Sequence, residues 1–184
     1  MGMTATTRGS ALTTGARAAA SRARRAANAL AQTGVRSSIV PESLRVRVLR
    51  ATGALIEPTT SVRPRVHMSA DVRFGAETSV GEEALLQGPT VVGDRSHVGP
   101  RALVITYTHP IGGHELRCPN PPLIKQVTIG EGCWIGAGSM ILPGVTIGDG
   151  VIVAAGAVVT QDCESDCLYA GVPARLVRRL SAPE

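Results

Sequence analysis

Residues 127–150 read VTIGEGCWIGAGSMILPGVTIGDG. A large aliphatic residue returns at every sixth position, Ile129, Ile135, Ile141 and Ile147, and glycine follows three of the four. A helix repeats every 3.6 residues and a strand every two, so a period of six describes a compound unit. That unit is a short strand plus a corner, with glycine where the bend leaves no room for a Cβ.

The same beat runs upstream through Ile56, Val62, Met68, Phe74, Val80, Leu86, Val92, Val98 and Val104, and downstream through Val153 and Val159. Two residues before each of these stands a small or β-branched residue, from Ala54 and Thr60 to Val151 and Ala157. Strand alternation places each such pair on one face, one large and one small. Three units close a triangular coil, so the fifteen units counted here make about five coils, stacked backbone to backbone along a solenoid. Composition agrees: 43% of residues are hydrophobic but only 2% aromatic, as an interior too narrow for rings requires.

At 184 residues the chain has room for one domain with a real core. No window approaches the roughly 18 consecutive apolar residues of a spanning helix. The arginines near the N-terminus precede no apolar segment of a secretory signal, so a cytoplasmic protein is expected. Cys118, Cys133, Cys163 and Cys167 show no paired CxxC spacing and read as free thiols.

The net charge of +5 is uneven, because the first fifty residues hold nine arginines and a single acid, Glu42, leaving the remainder net negative. Residues 1–40 are rich in Ala, Arg, Thr and Gly without an apolar stripe, and are expected to form a frayed helical or disordered arm with no nucleic-acid role.

Between Val104 and Ile129 the beat stops at ITYTHPIGGHELRCPNPPLIKQ, where four prolines and a Gly-Gly pair break the strand pattern. This segment, about residues 105–126, must leave the prism as a loop, and loops this long in a compact repeat carry function or are disordered.

YTHPIGGHELR, followed by VTIGEGCWIGAGSMILPGVTIGDGVIVAAGAVVTQDC and closed by AGVPARLVRRL, resembles the hexapeptide-repeat acyltransferases. The similarity is to the maltose, galactoside and Nod-factor O-acetyltransferases and covers roughly residues 44–180. The resemblance implies an all-β fold, a left-handed parallel β-helix over residues 41–168, and a capping turn and short C-terminal helix over residues 169–184. Left-handedness comes from the resemblance alone, since parallel crossovers are ordinarily right-handed.

It further implies an acyl-CoA donor, most simply acetyl-CoA, a hydroxyl-bearing small molecule or saccharide as acceptor, no metal, and a homotrimer. The histidine of the HP step falls on His109 as general base, whose neutral imidazole would take the acceptor's proton as the new C–O bond forms. His114 and Glu115 are expected either to line the acceptor pocket or to be exposed polar residues of a flap. Trp134 precedes an inward residue and so points outward, where the family's tryptophan lies beside the donor groove. Ala155, Thr160, Gln161, Arg175 and Arg178 fall on the family's donor contacts. Gln161 stands where the family usually has lysine, and Gln87 where sugar acetyltransferases carry an acceptor-binding asparagine. The Asp that grips the sugar has no counterpart.

Two other readings share the repeat. A γ-class carbonic anhydrase would bind zinc through histidines such as His67, His97, His109 and His114, of which His109 and His114 lie close enough in sequence to chelate. A catalytically silent scaffold would use the prism only for assembly.

Overall fold

The computed structural model describes Thr33 and residues 37–51 and 54–180, so the arm expected over residues 1–40 lies almost wholly outside the described residues. Among the described residues a helix, α1 (Glu42–Ala51), occupies the stretch expected to open the solenoid. It follows Pro41, with Glu42 in its first turn and Arg50 in its last, as the helix dipole favours. Val46 and Leu49 join the core of the solenoid. Arg45 is buried beside them, its guanidinium donating to the carbonyls of Val62 (2.7 Å), Val40 (2.8 Å) and Ser37 (3.1 Å).

From Leu55 the chain winds into three parallel sheets, the faces of a triangular prism. The first face stacks Leu55–Ile56, Val72–Phe74, Thr90–Val92, Val127–Ile129 and Thr146–Ile147. The second stacks Ser61–Val62, Ser79–Val80, His97–Val98, Trp134–Ile135 and Ile152–Val153. The third stacks His67–Met68, Leu85–Leu86, Leu103–Val104, Met140–Ile141 and Val158–Val159. Five coils result, as the hexad count predicts. Neighbouring rungs are 18 residues apart, Leu55 opposite Arg73 and Val72 opposite Thr90, except that Val127 is opposite Thr90. The excess at that single step, 19 residues, is the excursion loop.

The counted aliphatic residues point inward, and every one except the half-buried Met68 is buried. Each such burial stabilises by about 1.5–3 kcal/mol. The small column two residues earlier also has a polar duty. Thr78 Oγ1 donates to the Gly75 carbonyl (3.0 Å) and Ser139 Oγ to that of Gly136 (2.8 Å). Ser96 Oγ donates to the Gly130 carbonyl (2.7 Å) while accepting from the Cys133 N–H (2.9 Å). These hydroxyls satisfy corner groups that ladder hydrogen bonds cannot reach, and among the described residues no buried side-chain N or O lacks a partner.

The C-terminus corrects one expectation. No helix forms over the described part of residues 169–184: Cys167–Ala170 adds to the second face, and Arg175–Arg179 folds back antiparallel along it. The last rung leaves an open row of N–H and C=O groups, which a returning strand can pair and a helix cannot. All four cysteines are free thiols, with Cys118 exposed and the other three buried.

Candidate active site

The excursion loop is anchored at Thr106, which is buried at the point where the third face ends. Its N–H donates to Gln87 Oε1 (3.1 Å) and its hydroxyl to the Gly88 carbonyl (2.7 Å). Gln87, expected against the acceptor, thus commits its side-chain carbonyl to the root of the loop. Beyond it, Tyr107–Thr108 pairs antiparallel with Leu123–Ile124, and Lys125 N–H returns to the Thr106 carbonyl at 2.8 Å. The loop is therefore a hairpin standing off the prism.

His109 follows the outgoing strand, exposed, with Nδ1 3.1 Å from the carbonyl oxygen of Pro119 on the returning side. A carbonyl can only accept, so Nδ1 is the donor in this contact, and the tautomer that makes it has its lone pair at Nε2. His114 and Glu115 pair with each other (Nε2 to Oε1, 2.9 Å) at the tip and are more than four-fifths exposed, at 81% and 87%. The sequence held no signal for the Pro119 carbonyl, because any residue type supplies one.

The corner between the second and third faces shows a feature the hexad pattern had not exposed. One position in each turn there has positive φ: Arg65, Glu83 and Arg101 in the first three coils, then Gly138 and Gly156 in the last two. The upper three carry a charge ladder, Arg65 to Glu82 (2.5 Å) and Glu83 (3.0 Å), and Arg101 to Glu83 (2.8 Å). The Arg101 hydrogen bond and charge hold the Glu83 carboxyl below its usual range. At Gly138 and Gly156 an added Cβ would meet nothing within 4 Å. With Ala137 and Ala155 beside them, both exposed, the corner of the fourth and fifth coils is a strip of nearly bare backbone.

Trp134 lies on the second face of the same coil as Gly138, outward as expected and 56% exposed. Its rung partner Ile152 is opposite Leu168, and Leu168 is opposite Arg178. Trp134 and Arg178 therefore occupy one row, three strand spacings or about 14 Å apart. Arg175 is exposed on the same returning strand, opposite Ala170, and Thr160 and Gln161 are exposed just past the last rung of the third face. The structure thus gathers the six candidate donor contacts at the C-terminal end of the prism and His109 on the loop. No group of three or more His, Cys, Asp or Glu side chains among the described residues is arranged to hold a metal ion.

A bacterial transferase hexapeptide model of six repeats matches residues 126–161. A putative acetyltransferase of Dictyostelium discoideum is 44% identical over 92 residues, half of this chain, which spans only 48% of that protein. Nodulation protein L of Rhizobium meliloti is 36% identical over 129 residues, covering 66% of this chain and 68% of that one. Among solved structures, a hexapeptide-repeat acetyltransferase of Vibrio cholerae complexed with acetyl coenzyme A superposes with a TM-score of 0.77 at 28% identity, over 88% of this chain and 89% of that one. The prism, the inserted hairpin and the likeness define a left-handed β-helix acyltransferase. The chain belongs to the hexapeptide-repeat acyltransferase family, and is also similar to galactoside O-acetyltransferase of Escherichia coli, at 28% identity over 74% of this chain and 69% of that one.

Proposed function

We propose that the protein transfers an acetyl group from acetyl-CoA to a hydroxyl of a saccharide-like acceptor, with His109 as general base, in a homotrimer. The observation that carries this reading is the His109–Pro119 hydrogen bond, which leaves Nε2 as the basic nitrogen. The acceptor oxygen attacks the thioester carbonyl carbon as its proton passes to Nε2. The C–S bond then breaks, and the proton on Nε2 is available to the departing thiolate. Acetyl ester, free thiol and neutral imidazole result.

The donor residues fit an extended pantetheine chain. The corner at Ala137, Gly138, Ala155 and Gly156 offers nearly bare backbone, Trp134 an apolar surface, and Arg175 and Arg178 charge for the nucleotide phosphates. Thr160 and Gln161 follow the last rung of the third face, where Gln161 supplies a neutral amide in place of the usual lysine. His114, Glu115 and the free end of Gln87 belong to the acceptor side.

Assembly is supported by the loop. Tyr107, Ile111, Leu116, Leu123 and Ile124 are 42–91% exposed on one hairpin, an apolar surface that a second subunit would cover. The test is thiol release from acetyl-CoA over a panel of sugars, amino sugars and small alcohols, with metal content measured on the same sample. Thiol release that requires a hydroxyl acceptor supports the proposal. Protein with about one bound metal per subunit that hydrates CO₂ and releases no thiol overturns it.

A further inference from the structure

We propose that the groove between α1 and the first face is a second ligand site, which takes a small soluble phosphoester. The groove encloses about 690 Å³ and is lined by Arg47 and Arg50 from the helix and Arg73 from the first face, over Leu55 and Phe74.

Among the described residues its charge is not paired. Arg63, Arg65, Arg95, Arg101 and Arg179 each have a carboxylate partner, whereas Arg47, Arg50 and Arg73, like Arg117, Arg175 and Arg178, have none. What sets the first three apart is that they line one groove, in which Glu57 is the one acid. Arg47 and Arg50 are three apart and so share a face of α1, while Arg73 is the rung partner of Leu55. Three like charges facing one cavity repel one another, and an anion between them relieves the repulsion. Guanidinium forks match phosphate oxygens two at a time, so a phosphate group is the complementary ligand.

Shape narrows the class. An open groove of this size, with Leu55 half exposed (52%) among its lining, has room for a small molecule with an apolar or ring portion beside its phosphate. The site is also separate from the proposed donor contacts. Arg73 lies on the first coils, opposite Val91, which is opposite Thr128, whereas Arg175 and Arg178 pair beyond the fifth coil.

The test uses the full chain carrying Arg175→Ala/Arg178→Ala, which removes the proposed donor-phosphate contacts, with inorganic pyrophosphate as probe in equilibrium dialysis at low ionic strength. One pyrophosphate per subunit is expected to bind. Adding Arg50→Glu/Arg73→Glu should weaken it at least tenfold. Should the charge reversals lower the melting temperature, Arg50→Gln/Arg73→Gln replaces them with the same expected direction. Absence of pyrophosphate binding, or equal binding in the Arg50/Arg73 variants, overturns the proposal. So does displacement of the bound probe by phosphatidylglycerol vesicles, which would make the groove a membrane-surface contact.

Discussion

His109 Nδ1 and the Pro119 carbonyl oxygen are 3.1 Å apart across ten residues of one hairpin, so the returning side of the loop orients the imidazole on its outgoing side. His109 and the loop are thereby one unit: whatever disturbs the hairpin disturbs the carbonyl that holds Nδ1–H.

His109→Ala should lower turnover by about a hundredfold or more, the usual size of a general-base contribution, while acetyl-CoA still binds. His114→Ala, which removes a solvent-exposed pairing with Glu115, should cost far less. Steady-state thiol release with a binding measurement on each variant checks both. Equal losses in the two would remove His109 from its assigned role.

Gly138→Arg would place at the fourth coil the residue type that Arg101 supplies at the third, in the same backbone conformation. An L residue with left-handed φ costs roughly 1–2 kcal/mol, so the variant should fold with a modestly lower melting temperature. Its side chain would cover the bare corner proposed for the donor, and the KM for acetyl-CoA should rise at least tenfold with the acceptor KM little changed. A shift in the acceptor KM alone would place the donor elsewhere.

Light scattering at assay concentration should return a mass three times the 19.0 kDa of the chain. Ile111→Asp with Leu123→Asp, two exposed apolar positions of the hairpin, should shift it toward the monomer and lower activity together. A fully active monomer would contradict the trimer.

Burial, with Asp162 adding to it, pushes the Cys163 thiol from 9.0 up to about 12. The fold therefore favours the neutral thiol. Its contribution is fully present below pH 9 and is lost as pH rises toward 12. Between pH 8 and pH 11 the urea midpoint of the parent should fall further than that of Cys163→Ala. At pH 8, iodoacetamide should modify the exposed Cys118 first, with the three buried thiols reacting only in denaturant, as a mass spectrum of adducts would show.

The solenoid was legible because its rule is local. Each hexad states its own inward residue and its own corner, from Ile56 to Val159, and aliphatic side chains at that spacing can be buried together in only a few ways. The excursion at Val104 was legible for the same reason, since Pro110, Gly112 and Gly113 break the beat. The resemblance of YTHPIGGHELR to a family motif then singled out His109. What the sequence could not determine were relations between residues far apart in the chain and groups without an identity. The Pro119 carbonyl that orients His109 is backbone, and the Gln87 amide that anchors Thr106 meets it across a coil. The C-terminal RLVRR became a strand because an unpaired edge was waiting beside it, a fact of the stacked coils rather than of its own residues. Likewise Arg47, Arg50 and Arg73 read as ordinary surface charges along the chain; they converge on one groove because α1 lies against the first coil.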